Sequence, residues 1–214
     1  MAAGFEDNTR MTQEAGASSK QVFLDAAEEL LARRGYAAMS ISAVCKAAGL
    51  PVGSLYWHFK NKADLAVGVL RHGTERFFDA LPTGTGLDGS PLERLESYYM
   101  RAAEVFERFP RYLRVYLLLR LHEHDDLDVR SETLHIHEIL VDRIAGVIEP
   151  VARDAGLADA AAVARELAAM TLDITDGATV AYSSTGQDYV TSLRRALNAV
   201  LAVIGRRANP SLPA

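Results

Sequence analysis

Residues 46–62 read KAAGLPVGSLYWHFKNK, with three ring side chains, Tyr56, Trp57 and His58, standing side by side. Consecutive helical residues point about 100° apart, so one packed face cannot take all three rings. Placing Leu55 and Phe59 inward, four residues apart, fixes the other directions. Gly53 and Trp57 then point farthest outward, Tyr56 and His58 lie on opposite flanks, and Ser54 falls between His58 and the outer edge. Val52 falls near the buried flank. A bare backbone at one end, with hydrogen-bonding rings along both sides, suits insertion into a groove lined by phosphates. The alternative packs Trp57 against the first helix of the chain.

Working outward, helical periodicity dominates and no stretch alternates like a strand. Ser18 with Gln21 resembles a capping box for a first helix whose stripe is Val22, Phe23, Ala26, Ala27, Leu30 and Leu31, ended by Gly35. Ser40 caps a short second helix with Ile41, Val44, Ala47 and Ala48 inward, and Gly49 stops it. A third spans about 52–59. Asn61 caps a long fourth helix through Leu65, Val69, Phe77 and Leu81. The second helix, its glycine turn and the third form a helix-turn-helix.

The run PTGTGLDGSP, 82–91, is the clearest break. Beyond it, Ser90, Pro91 and Glu93 start a fifth helix that Pro110 ends. Further helices are expected over about 111–122, 128–155 with a bend at Pro150, 159–183 and 188–207. The fold class is therefore all-α: a three-helix helix-turn-helix head joined by a long helix to a C-terminal helical bundle. The expected divisions are a loose arm over 1–17, the head over 18–72, and an effector-binding and dimerisation domain over 73–214.

Composition narrows the function. The 214 residues are 49% hydrophobic, enough for a sizeable core. A single cysteine, Cys45, leaves no internal disulfide framework and reads as a core residue in a cytosolic chain. The N-terminal segment lacks the apolar run of a secretory signal, and the richest apolar stretch, YLRVYLLLRLH, is broken by arginines, so a soluble, cytoplasmic chain is expected. Net charge is -5, yet residues 32–72 hold Arg33, Arg34, Lys46, Lys60, Lys62 and Arg71 against Asp64 alone. A local basic surface survives on an acidic protein.

The stretch ISAVCKAAGLPVGSLYWHFKNKADL, with FLDAAEELLARRGY before it, resembles the DNA-binding signature of the tetracycline repressor (TetR) family of transcriptional regulators. The resemblance covers roughly residues 19–70. It implies that Ser42, Val52, Gly53, Ser54 and Trp57 face bases or sugars, while Tyr56, His58 and Lys62 hold phosphates. It also implies a homodimer and a small-molecule effector, hence a regulator, more naturally a repressor, of a near-palindromic double-stranded operator. Pro51 stands where many members carry a capping serine, which makes the operator harder to foresee.

In the C-terminal part, Val190, Leu193, Leu197, Val200, Leu201 and Ile204 form the cleanest stripe of the chain and are the expected dimer seam. Tyr98, Tyr99, Phe106, Tyr112, Tyr116, Arg120, Met170 and Asp173 are the expected effector contacts, an apolar pocket with polar anchors. Asp173 and Asp176, three apart, could equally pair with Arg120 or across a dimer. The rival readings are a helical metal-dependent enzyme and a ligand-binding protein that reads no DNA. His122 with His124, and His135 with His137, raise the metal reading. Residues two apart on a helix point about 200° from each other, so neither pair chelates from one face. No phosphate-cradling glycine loop or catalytic triad order is present, so no catalytic residue, metal site or cofactor is assigned.

Overall fold

The computed structural model describes residues 3–122 and 126–209, with side chains from residue 19 onward. Regular structure among them is helical throughout: α1 (Ala3–Ala38), α2 (Ile41–Ala48), α3 (Val52–Tyr56), α4 (Lys62–Ala80), α5 (Pro91–Arg108), α6 (Pro110–Leu121), α7 (Leu127–Asp154), α8 (Ala160–Thr185) and α9 (Tyr189–Ala208). One 3₁₀ turn, Gly84–Gly86, lies in the proline- and glycine-rich connection.

The head is a small core closed by caps. Phe23, Leu24, Ala27 and Leu31 of α1 meet Val44 and Cys45 of α2, Leu55 of α3 and Phe59, Leu65 and Val69, all buried. Ser40 Oγ accepts from Ala43 N at 3.1 Å, and Gly49, at φ 68°, ends α2 in the left-handed conformation that glycine adopts without strain. Asn61 Oδ1 accepts from Asp64 N while Asp64 Oδ2 accepts from Lys60 N, both at 2.8 Å, which satisfies two backbone donors at the start of α4.

Four local expectations are corrected. The first helix begins at Ala3, so Ser18 lies within it and not at its start; no proline between Ala3 and Ser18 stops a helix extending back from the packed segment. Gly35, at φ 73° and ψ 176°, breaks its helical course as expected. Val22 and Ala47 are exposed, because the inward arcs of α1 and α2 centre on Phe23 and Val44. The third helix is five residues long, and the chain beyond it turns through Phe59 N donating to Leu55 O at 3.0 Å.

The body is a bundle in which α8 packs along α7 and α9, and α5 lies against α9. Its first helix starts on the full capping box of Ser90 and Glu93 with Pro91 in the first turn. Head and body meet along α1 with α6 and α4 with α7. Polar contacts across that seam include Arg111 with Glu29 at 3.2 Å, Arg71 with Glu132 at 2.8 Å, Arg143 Nη1 donating to Phe78 O at 3.3 Å, and Tyr36 Oη donating to Asp126 at 2.5 Å.

Candidate nucleic-acid interface and ligand cavity

On α3 and the turn after it the inward pair is as the helical wheel requires: Leu55 is 0% and Phe59 3% exposed, while Trp57 is 88% exposed. Gly53 is exposed, and a Cβ there would meet nothing within 4 Å. Neither packing nor a positive φ asks for glycine at this position. A side-chain-free spot on an open helix face fits the close approach of an outside surface. Tyr56 and Ser42 are also exposed, and Ser54 is partly so.

Val52 corrects the wheel. It is 50% exposed, because Pro51 sets the helix entrance without a side-chain cap and the short α3 leaves its first turn projecting. If α3 enters a major groove, as the resemblance implies, this side chain is placed to meet a thymine methyl. In a binding-site selection, Val52→Ser is expected to change the preferred base at one position of each half-site; an unchanged consensus would show that Val52 reads nothing.

His58 and Lys62 are engaged within the chain. Ser19 Oγ lies 2.9 Å from His58 Nε2, and the His58 ring packs against Phe23 and Phe59, so this side chain helps seat α3 on α1. The Lys62 ammonium stands 4.2 Å from the centroid of the Tyr36 ring and donates to Ala37 O at 3.5 Å. Tyr36 is the same residue that bonds Asp126 of the body. This bridge could not be read from the sequence, which separates its members by up to 90 positions.

In the body, a cavity of about 40 Å³ is lined by Tyr98, Tyr99, Phe106, Tyr112 and Tyr116 of the expected set, together with Phe77 of α4 and Asp176 of α8. Tyr99 Oη pairs with Thr171 Oγ1 at 2.7 Å, and Tyr112 Oη with Thr74 Oγ1 at 2.8 Å. Burial pushes the Tyr116 hydroxyl up to about 12, the Arg120 guanidinium opposing, and Tyr98 likewise to about 12. These phenols stay neutral at any ordinary pH.

Three expected contacts stand elsewhere. Arg120 lies outside the lining and holds Asp176 at 2.5 Å; Asp173 is exposed on the outer face of α8; Met170 packs at the core's edge. Asp173 and Asp176 are three apart, and the inward arc of α8 centres on Thr171, Thr175 and Ala178, which carries 173 outward. Burial raises the Asp176 carboxyl above its usual range, Arg120 opposing.

Most of the expected dimer seam is buried in the single chain. Leu193, Leu197, Val200 and Ile204 are buried within the single chain, leaving only Val190 and Leu201 partly exposed. That stripe closes the chain's own core against α5 and α8. For the metal reading, no three His, Cys, Asp or Glu side chains converge among the described residues; Glu123 and His124 lie outside them. His135 is exposed, while the buried Nδ1 of His137 faces inward without a partner.

Fold and site define a two-part helical protein whose head presents a helix-turn-helix. Residues 23–69 match the family described as bacterial regulatory proteins, tetR family. The similarity to that family lies in the head. The regulator AcrR of Shigella flexneri is 39% identical over 56 residues, 26% of each chain. The repressor KstR2 of Mycolicibacterium smegmatis is 35% identical over 95 residues, 42% of this chain and 44% of that one. The matches thus span less than half the length of these relatives. The crystal structure of Bacillus subtilis FadR with stearoyl-CoA superposes with a TM-score of 0.68 at 20% identity, covering 85% of this chain and 97% of that one, which extends the likeness of fold to the body.

Proposed function

We propose that this chain is a cytoplasmic transcriptional repressor that binds a near-palindromic operator as a homodimer and releases it when a small molecule enters the body cavity. The observation that carries this reading is the outer face of α3 and the residue after it, where bare Gly53 and the 88% exposed Trp57 project from a segment, residues 32–72, with six basic residues against Asp64. A dimer places two such helices on half-sites about one helical turn, roughly 10 bp, apart. The FadR structure, which holds stearoyl-CoA, supports ligand binding in a body of this fold.

With the apolar stripe of α9 consumed internally, the partner surface falls to what α8 and α9 leave outside: Gly177 and the 53% exposed Val180 on α8, Leu201 and Ala202 on α9. Small residues there allow two helix pairs to approach closely. Val180→Glu is expected to give a folded monomer by sedimentation, with operator affinity lowered at least about 10-fold; a dimer of unchanged strength would place the interface elsewhere.

Release requires the effector to prefer a body whose two heads are wrongly spaced. The α4 helix joins the parts directly, since it carries Phe77 into the cavity wall and Asn61 and Lys62 at the head. Selection of bound duplexes from a random pool tests function, symmetry and spacing together. A twofold-related consensus is expected, with affinity falling steeply as salt rises, by a log–log slope of about 0.9 per neutralised phosphate. Failure to enrich any sequence, with binding flat in salt, would reject the reading.

A further inference from the structure

The cavity wall carries six aromatic rings and a single charged group. The rings belong to Phe77, Tyr98, Tyr99, Phe106, Tyr112 and Tyr116, the charge is that of Asp176, and no lysine, arginine or histidine shares the lining. Ring faces and a carboxylate both attract cations. The chain already supplies one from just outside: Arg120 Nη1 lies 2.5 Å from Asp176 Oδ2, and its guanidinium carbon sits 5.4 Å from the Tyr116 ring centroid. Beside it, the buried Tyr116 hydroxyl finds no aligned hydrogen-bond partner.

The two members of this pair are not equally free to leave. Arg120 stands in the last turn of α6, just before the 70% exposed Leu121, and its long stem can carry the guanidinium into water. Asp176 sits in the interior of α8 on a short side chain, next to buried Thr175, and cannot leave the wall. A carboxylate abandoned there is a half-buried unpaired charge, which burial already disfavours. Its other titratable neighbours are His137 and Asp173, and Arg120 alone pairs with it directly. Whatever displaces Arg120 must therefore return a positive charge. An anion would set a second negative charge against Asp176, and a neutral molecule gains nothing by breaking the pair.

The geometry points to a ligand class: an apolar, ring-bearing organic cation whose ammonium group takes the place of Arg120 on Asp176 while its body lies among the aromatic side chains. This rests on the reading that the effector fills this cavity. It also gives release a starting step, because Arg120 ties the end of α6 to α8, and α6 carries Tyr112, whose hydroxyl pairs with Thr74 of α4.

Calorimetric titration of the full chain with phenylbutylamine, phenylbutanol and phenylbutyrate, matched in body and different in charge, tests the inference. The amine is expected to bind at least about 10-fold tighter than the alcohol, with the carboxylate weakest. Arg120→Gln, which removes the internal competitor, is expected to tighten the amine roughly 10-fold, and Asp176→Asn to erase its advantage over the alcohol. Equal binding of amine and alcohol by the unaltered chain, preference for the carboxylate, or binding of none of the three overturns the proposal, and this series needs no variant to fold. Operator affinity measured on the same samples separates the two readings. Release of DNA by the alcohol without any preference for the amine sinks the cation and leaves the effector in place.

Discussion

Gly73→Ala is expected to destabilise the chain by about 1–3 kcal/mol and to change operator affinity in the absence of any effector. A Cβ at this position would stand 2.4 Å from Tyr112 Cδ2, far inside contact distance, and the ring is buried with little room to retreat. The ring can yield only toward the cavity it lines, so the substitution pushes α4 and α6 apart as an occupant of the cavity would. Denaturant unfolding reads the first effect and titration with the selected operator the second. An alanine variant with unaltered stability and affinity would show that the α4–α6 contact transmits nothing. Tyr112→Phe is the complementary change: it keeps the ring and removes the partner of the buried Thr74 hydroxyl, about 1 kcal/mol.

Trp57→Ala acts on the opposite quantity. The side chain is almost wholly in water, so stability should stay within about 0.5 kcal/mol of the unaltered chain, while operator affinity falls roughly 10- to 100-fold. Thermal unfolding and a DNA titration at fixed salt separate the two. A variant that unfolds earlier but binds as before would mean that the indole packs on α1, the alternative the sequence leaves open.

Local chemistry made much of this legible. Ser40, Gly49, Asn61 and the Ser90–Glu93 pair mark helix ends because caps act within three or four residues, and the inward places of Leu55 and Phe59 follow from helical period alone. Periodicity reports that a face is buried without reporting against what, so the stripe of α9 reads equally as a partner surface and as the chain's own core, where most of it is buried. Composition likewise set Asp173 beside Asp176, although the period of α8 turns them to different environments. The seat of Tyr112 on Gly73 and the Tyr36–Asp126 bond join residues 39 and 90 positions apart, and nothing local announces them; the Arg120–Asp176 pair was one of two pairings the sequence left open.

The cavity of about 40 Å³ holds a few water molecules at most, whereas a drug-sized guest needs roughly 300 Å³ or more. Entry and rearrangement are thus one event, since no guest lodges until the surrounding helices part. In rapid mixing, the observed rate should climb with guest concentration and then level off at the opening frequency of the bundle, the same ceiling for every guest whatever its final affinity.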